Sequence, residues 1–264
     1  MIELAGITKY FHRGSVNEVL ALDNVSLSVS DGDFITVIGS NGAGKSTLLS
    51  CVAGSFLPDN GTITLDGVDI TAWPEHRRAA HLGRVFQDPL LGTCASLSIE
   101  QNLALALRRG RPRGLTRGVT DEDRGYFRRE VHKIGLGLEK RLADRIGLLS
   151  GGQRQALTLL MATLVRPKVL LLDEHTAALD PKTANAILLL TEHLVTEQKL
   201  TTLMVTHNMN QAIKLGNRLI MLHQGKVILD VAGAEKRKLH VTDLLAQFYA
   251  VKGEEFSSDK MLLT

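Results

Sequence analysis

A glycine-rich stretch at residues 39–47 has the spacing of a phosphate-binding loop. Gly39 is followed, after four intervening residues, by Gly44-Lys45-Ser46. Glycines let consecutive backbone N–H groups turn toward one anion, and a helix N-terminus adds partial positive charge. The pattern predicts that Lys45 binds the β- and γ-phosphates of a nucleoside triphosphate and that the Ser46 hydroxyl binds Mg²⁺. The predicted nucleotide-binding residues of this loop are Ser40, Asn41, Gly42, Ala43, Gly44, Lys45, Ser46 and Thr47.

Two adjacent carboxylates, Asp173 and Glu174, follow the apolar run 169–172. Such a run suits a parallel strand covered on both faces, and ligands bind beyond the carboxyl ends of such strands. Asp173 is therefore a candidate Mg²⁺ ligand, and Glu174 a candidate base for the attacking water. His207 follows another predicted strand, 201–205, and is a candidate for contact with the γ-phosphate. The alternatives are two acids at the start of a solvated loop and a structural histidine.

The elements around the loop are those that a phosphate-binding pattern requires. Residues 34–38 predict a buried strand, and residues 46–53 predict a helix that Gly54 ends. This context disfavours the alternative of a glycine-rich turn without a ligand. Further strands are predicted at 2–7, 21–29, 61–67 and 84–89. The region after the last of these strands, to about 164, is predicted to be mostly helical, and a final hairpin is predicted at 219–222 and 226–231.

Composition restricts the class of protein. The chain has 264 residues and is 44% hydrophobic, which is enough for a large buried core. Its net charge of +3 is too small to indicate nucleic-acid binding. Its apolar runs are shorter than the eighteen or so residues of a membrane helix. Cys51 and Cys94 give no disulfide framework, and residues 1–4 do not resemble an export signal. We expect a soluble protein of a reducing cytoplasm.

Three stretches each admit two interpretations. The aromatic ring of Phe11, ahead of the predicted loop strand, could stack on an adenine or pack in the core. The arginine-rich segment 108–129 is a solvated surface or a contact for acidic lipid headgroups or an acidic partner. Leu90, Leu91 and Leu97 either tuck under the helical region or form a groove for an amphipathic helix of another protein.

A second anion-binding device is predicted at residues 149–155, where Leu-Ser-Gly-Gly-Gln-Arg-Gln opens a helix with a capping serine. The whole set of motifs resembles the ATP-binding-cassette ATPases, specifically the stand-alone nucleotide-binding subunits of bacterial transporters, over nearly the whole chain. One departure is His175, at a position where that family most often has proline. In chain order, the motifs that carry the resemblance are the phosphate loop, Gln87, residues 149–155, Asp173-Glu174, Ala178-Leu179-Asp180-Pro181 and His207.

The resemblance implies an α/β fold of the P-loop NTPase type. Its mainly parallel central sheet is joined by an N-terminal antiparallel β subdomain and an inserted α-helical subdomain. One domain is expected over residues 1–250, with the core and β subdomain at 1–87 and 165–250 and the helical subdomain at 88–164. A C-terminal tail, 251–264, is expected to be mobile.

The resemblance also assigns roles to individual residues. Phe11 matches the aromatic residue that stacks on adenine, with Tyr10 as the alternative, and Gln87 matches the glutamine that contacts Mg²⁺ and the attacking water. Asp180 is expected at a dimer interface. The implied catalytic residues are Glu174, His207, Gln87 and Lys45, the Mg²⁺ ligands are Ser46, Gln87 and Asp173, and the residues that bind ATP held by the opposite subunit are Ser150, Gly151, Gly152 and Gln153.

The function that the resemblance implies is ATP hydrolysis that powers a membrane transporter. The expected partners are a second cassette, identical or paired, the transmembrane permease subunits and, indirectly, a binding protein, at the cytoplasmic face of the membrane. The run 173–183 and Gly-Ser-Asn-Gly in the phosphate loop look like a subgroup of binding-protein-dependent importers for amino acids such as tryptophan or tyrosine. The alternative is a soluble cassette ATPase of iron–sulphur cluster assembly. Ser-Gly-Gly-Gln at 150–153 and the lack of a His/Cys metal-binding pattern argue against that alternative.

Overall fold

The computed structural model describes residues 1–111, 114–115 and 117–252, with only the backbone given for Val251 and Lys252. Of the predicted tail 251–264, residues 253–264 lie outside the described residues. Residues 112, 113 and 116 of the arginine-rich segment lie outside them too. Within the described ranges we find no helix with the length and apolar character needed to span a membrane.

The strands, in chain order, are β1 Ile2–Phe11, β2 Val19–Val29, β3 Phe34–Gly39, β4 Asn60–Leu65, β5 Val68–Asp69, β6 Leu82–Val85, β7 Val169–Asp173, β8 Thr201–Val205, β9 Arg218–His223 and β10 Lys226–Ala232. The helices are α1 Lys45–Ala53, α2 Glu75–Arg78, α3 Ile99–Leu107, α4 Asp121–His132, α5 Gly151–Thr163, α6 Pro181–Gln198, α7 Met209–Lys214, α8 Gly233–Lys238 and α9 Val241–Lys252. Two short 3₁₀ turns lie at Leu138–Lys140 and Ile146–Leu148.

The described residues form two compact units, of which the first comprises residues 1–78 and the described part of 201–264. One sheet of this unit is antiparallel, with the strand order β2-β1-β4-β5. In the second sheet, β3 pairs in parallel with both β8 and β9, and β10 pairs antiparallel with β9. Every residue of β3 is buried, as the sequence predicts, and its one polar side chain, Thr36, donates to the carbonyl of Ala212 (2.8 Å).

Strand β1 is longer than predicted. The sequence predicts a strand that ends at Ile7, but pairing with β2 continues through Lys9 and Tyr10 to Phe11. The prediction was wrong because the register shifts between Ile7 and Lys9 and again between Lys9 and Tyr10, and such irregularities break the alternation of apolar and polar residues.

The core of the first unit packs α7 and α9 against β3 and β9. Its centre contains Ile38 of β3, Met221 of β9, and Leu244 and Phe248 of α9, all buried. This core fixes strand β3, from which the phosphate loop emerges, and helix α7, which begins two residues after His207.

The second unit, Ala79–Leu200, combines the parallel pair β6–β7 with α3, α4, α5 and α6. Leu103, Phe127 and Leu157 bring α3, α4 and α5 into one buried cluster. Each of these three helices begins at a capping box, in which the side chain of the N-cap residue accepts from the third helical residue. The mostly helical character predicted for the region up to about residue 164 is confirmed by α3, α4 and α5.

Basic side chains, buried for Arg78 and Lys236 and partly buried for Arg109, satisfy backbone carbonyls at the C-terminal ends of three helices. Arg78 donates to the carbonyls of Cys51 (2.7 Å) and Val52 (2.9 Å) in the last turn of α1. Arg109 donates to carbonyls at the end of α5, and Lys236 to those just after α7. Burial lowers the pKa of all three side chains, that of Lys236 to about 8. Each cation thus occupies the negative end of a helix dipole.

Candidate functional site

The phosphate loop runs from the end of β3 to the start of α1 and is held by backbone hydrogen bonds. The Ala43 N–H donates to the carbonyl of Ser40 (3.1 Å), and the Gly225 N–H donates to the carbonyl of Ala43 (3.1 Å). The strand–loop–helix arrangement that the sequence predicts is therefore confirmed. Helix α1 begins at Lys45, within one residue of its predicted start, and Gly54 ends it at φ +84°.

Two glycines of the loop are required by geometry. Gly44 has φ +98°, and a Cβ there would lie 2.4 Å from the carbonyl oxygen of Ala21. Gly42 has φ +76°, yet no described atom lies within 4 Å of the position its Cβ would take. The loop is thus tightly packed beneath Gly44 and open above Gly42, which is the shape that lets an anion approach the backbone.

Lys45 places a buried cation at this loop. Its side chain is 6% exposed, and Nζ donates to the carbonyls of Gly39 (2.9 Å) and Ser40 (3.1 Å). The first turn of α1, which is fully described, carries no acidic side chain. Positive charge therefore dominates the helix N-terminus, and the residues present fit a polyphosphate.

His207 lies at the same edge of the sheet as the phosphate loop. Strands β3 and β8 run parallel with Val37 opposite Val205, and the Thr206 N–H donates to the carbonyl of Val37 (3.1 Å). Asn208 then caps α7 by accepting from the Gln211 N–H (3.0 Å). The structure thus brings His207 and the loop to adjacent strand ends, as the sequence predicts; the role of His207 stays a prediction.

Phe11 ends β1 with a partly exposed ring. Its ring meets that of Phe56 edge-on, with the centroids 5.2 Å apart, and Lys9 Nζ lies 5.9 Å from its centroid. The neighbouring Tyr10 ring instead lies 4.9 Å from the guanidinium of Arg13. Neither ring belongs to the buried core, so both remain accessible for stacking and the choice between them stays a prediction.

In the second unit, Gln87 and Asp173 follow the carboxyl ends of neighbouring parallel strands. Val85, the last residue of β6, pairs with Leu172 of β7. Asp173 is the last residue of β7, and the exposed Gln87 lies two residues after the end of β6. Arg84 Nη2 lies 3.9 Å from Asp173 Oδ2. Sequence reasoning missed this arginine, since the parallel pairing of the two strands had to be known first.

Glu174 has an unusual backbone conformation. Its φ is +43°, in the left-handed region that non-glycine residues adopt rarely. The Ala177 N–H donates to the carbonyl of Glu174 (3.0 Å), which closes a turn immediately after β7. The half-buried carboxylate of Glu174 thus lies in a strained turn, a feature that clusters at functional sites.

Residues 150–153, the signature, open α5, with Ser150 as its N-cap. Ser150 Oγ accepts from the Gln153 N–H (3.3 Å), and Gln153 Oε1 accepts from the Ser150 N–H (3.2 Å). A Cβ on Gly152 would lie 2.2 Å from Cγ2 of Thr183, and one on Gly151 would lie 3.6 Å from Leu179 Cδ2. Gly152 therefore also has a packing role within the chain, which the sequence did not reveal.

Asp180, expected at a dimer interface, also caps a helix of its own chain. Its Oδ1 accepts from the Thr183 N–H (3.1 Å), and Pro181 takes the first position of α6. Hydrogen bonds from the side chain and backbone of Thr183 lower the pKa of Asp180. The Asp-Pro pair before an apolar helical pattern is the signal that could have revealed this cap.

The apolar stretch after Gln87 is only partly buried. Leu90 is 49% and Leu91 70% exposed, so neither tucks under the helices. Leu97 is half-buried and, with Ala104 and Val119, lines an apolar cavity of ≈ 220 Å³. The interpretation in which these leucines tuck under the helical region is therefore wrong for Leu90 and Leu91.

The donor set predicted for Mg²⁺ also fits that ion. It consists of a hydroxyl, an amide and a carboxylate, on Ser46, Gln87 and Asp173, and hard oxygen donors are what Mg²⁺ prefers.

Comparison with known proteins places these features in context. Residues 22–177 match the family described as ABC transporter. A tyrosine transport ATP-binding protein of Clostridioides difficile is 46% identical over 95% of this chain and 100% of its own length. The methionine import ATP-binding protein MetN of Streptomyces avermitilis is 33% identical over 100% of this chain and 75% of its own length.

Solved structures give the same result for the fold. A dimeric ATP-binding cassette in a post-hydrolysis state, bound to ADP and Pi, covers 88% of this chain and 98% of its own, with TM-score 0.75 and 29% identity. A cassette of an ABC transporter in its ADP conformation covers 96% and 98%, with TM-score 0.77 and 25% identity. The predicted α/β fold class is confirmed.

Proposed function

Because the chain belongs to the ABC transporter family of ATPases, we propose that it hydrolyses ATP to drive the import of an aromatic amino acid through separate permease subunits. The observation that carries the cargo class is the close match, over nearly the whole chain, to a relative named for tyrosine transport. The relatives reported above are named for transport, so the alternative of a cluster-assembly ATPase is not favoured.

The proposed chemistry assigns one task to each residue. Lys45 neutralises the β- and γ-phosphates, and Phe11 stacks on the adenine. Ser46, Gln87 and Asp173 hold Mg²⁺, which withdraws charge from the phosphate oxygens when bound.

The remaining catalytic roles concern the attacking water and the γ-phosphate. Glu174 accepts a proton from the attacking water. Loss of this proton raises the nucleophilicity of the water oxygen as in-line attack begins. His207 contacts the γ-phosphate at the edge from which the phosphate loop also emerges. The strained turn at Glu174 supports its role, because strain is retained where a carboxylate must be aimed.

The proposed assembly pairs two cassettes. Residues 150–153 bind the nucleotide held by the second copy, and Asp180 lies at the interface between copies. Residues 88–164 form the helical subdomain that meets the permease at the cytoplasmic face of the membrane. A binding protein presents the amino acid on the other side.

The test is to purify the membrane complex that contains this chain and measure ATP hydrolysis with the binding protein loaded in turn with tyrosine, tryptophan, phenylalanine or methionine. We expect stimulation by an aromatic amino acid above the level with the unloaded binding protein. Stimulation by methionine alone would overturn the cargo class and leave the ATPase assignment intact. A complex without any ATP hydrolysis would overturn the function itself.

A further inference from the structure

The residue after the strained Glu174 is a buried histidine. His175 is 1% exposed, and its Nε2 lies 3.0 Å from Oγ1 of Thr191, in the middle of α6. Glu174 itself, with φ +43°, has no steric reason to stay in the left-handed region. A strained backbone conformation of this kind persists only where the surroundings over-determine it.

The hydrogen-bond network defines which nitrogen of His175 carries the proton. Thr191 Oγ1 lies 2.8 Å from the carbonyl of Ile187, one turn earlier in α6, so its hydroxyl proton is donated there. The same oxygen can then only accept from His175, which places the proton on Nε2. Nδ1 is left as an acceptor without a hydrogen-bond partner among the described residues. The other tautomer would bury an unbonded N–H donor and set two lone pairs against each other.

This chain of bonds connects the catalytic turn to a long helix. It runs from the backbone beside Glu174 through the imidazole of His175 to Thr191, whose own hydroxyl is fixed on the helix backbone at Ile187. Thr191 is fully buried, so the bond is shielded from water. The imidazole therefore limits the rotation of the Glu174–His175 peptide unit, which determines the direction of the Glu174 side chain.

We propose that His175 is a positioning residue for ATP hydrolysis, which holds Glu174 in its left-handed conformation by donating Nε2–H to Thr191. The inference rests on the proposed function, because Glu174 is the base only if the chain hydrolyses ATP. It assigns an indirect effect on the rate of hydrolysis to a buried side chain whose hydrogen bond is made to Thr191. Misplacement of a catalytic group by about 1 Å lowers a rate by on the order of 100-fold.

The test compares four variants of the full chain for kcat, KM for ATP, ATP affinity and melting temperature. His175→Leu and Thr191→Val each remove one partner at similar volume, and we expect each to lower kcat about 10- to 100-fold with KM and affinity within about twofold of wild type. His175→Gln, whose Nε2 reaches nearly as far as that of histidine, should recover most of the loss. The control is His193→Leu, an exposed histidine on the same helix, which should match the wild type.

The double variant His175→Leu/Thr191→Val separates coupling from general damage. If the two residues act through one bond, the double variant loses no more than the larger single loss. Losses that multiply, a kcat unchanged in His175→Leu, or a fall in ATP affinity that parallels the melting temperature would each overturn the positioning role. A wild type that binds but never hydrolyses ATP would overturn the proposed function, and the role of His175 with it.

Discussion

One isosteric change at Glu174 should separate ATP hydrolysis from ATP binding. Glu174→Gln keeps the size of the side chain but removes the proton acceptor, so we expect turnover at least about 100-fold lower with ATP affinity retained. In the presence of ATP, the variant should then accumulate as a stable dimer, which light scattering detects. The measurement pairs steady-state hydrolysis with equilibrium ATP binding.

Glu192→Gln supplies the matched control, since Glu192 lies exposed on α6 and has no predicted role. It should hydrolyse ATP like the wild type. Near wild-type hydrolysis by Glu174→Gln would remove this residue from the role of base.

Burial of His175 predicts a specific loss of stability in acid. Desolvation lowers the pKa of this histidine from 6.5 to about 4 in the folded chain. Between pH 6.5 and 4 the unfolded chain binds more protons, so the free energy of unfolding falls as the pH falls through this window. At pH 5 the loss relative to pH 7 is about 2 kcal/mol.

The measurement is the midpoint of urea unfolding at pH 7 and pH 5 for the wild type and for His175→Gln, which cannot titrate. The wild type should lose more stability than the variant on acidification. Equal losses in the two proteins would show that other groups cause the acid sensitivity.

Gly152 has two roles to distinguish, since it packs against Thr183 of α6 and is also proposed to contact nucleotide. A Cβ at 152 would lie 2.2 Å from Thr183 Cγ2, so Gly152→Ala should destabilise the chain by about 1–3 kcal/mol through overpacking. Thr183→Ser removes the obstructing methyl group and keeps the backbone N–H that Asp180 caps. The double variant should recover the melting temperature.

ATP hydrolysis in that double variant then reports the nucleotide role alone. Hydrolysis that stays low while stability recovers supports a contact between Gly152 and nucleotide. Hydrolysis that recovers together with stability would mean that packing explains the glycine.

How far the sequence predicts the elements depends on whether their signals are local. The phosphate loop with its strand and helix, and the serine that opens α5, depend on residues within one turn of each other and were predicted. The Arg78 contacts with α1 and the Gly152 contact with α6 join residues about 30 apart, and no local pattern encodes them. The extension of β1 was missed because its irregular register hides the alternation.

The exposed leucines after Gln87 predict where the cassette meets its permease. Leu91 is 70% exposed, so Leu91→Glu should leave folding and ATP affinity of the purified chain unchanged. A charge on this surface would oppose docking of an apolar helix face, so we expect the variant to lose co-purification with the membrane subunits. Pull-down from membranes with a tagged chain measures this.

Leu189→Glu is the control, because Leu189 is a similarly exposed leucine on α6. It should co-purify like the wild type. If Leu91→Glu assembles and transports normally, the docking surface lies elsewhere, and the arginine-rich segment 108–129 is the next candidate.

If each nucleotide site is built from residues of two chains, two different inactive chains should complement each other in a mixed dimer. Ser150→Arg should be inactive because it blocks the nucleotide of the opposite copy, and Lys45→Ala because the β- and γ-phosphates lose their cation. A mixed dimer, isolated with two different tags, retains one intact site built from Lys45 of one chain and Ser150 of the other. We expect that site to hydrolyse ATP in a single turnover even if coupling between sites suppresses steady-state activity.

The structure adds a control to this experiment, because Ser150 also caps α5 and its replacement removes that cap at about 1 kcal/mol. Ser98 caps α3 with the same capping box, so Ser98→Arg imposes the same kind of loss outside the signature. If Ser98→Arg homodimers hydrolyse ATP while Ser150→Arg homodimers do not, the lost cap is not the cause of inactivity. Mixed dimers that remain inactive in a single turnover would then mean that each chain does not complete the site of the other, and the head-to-tail pairing would have to be abandoned.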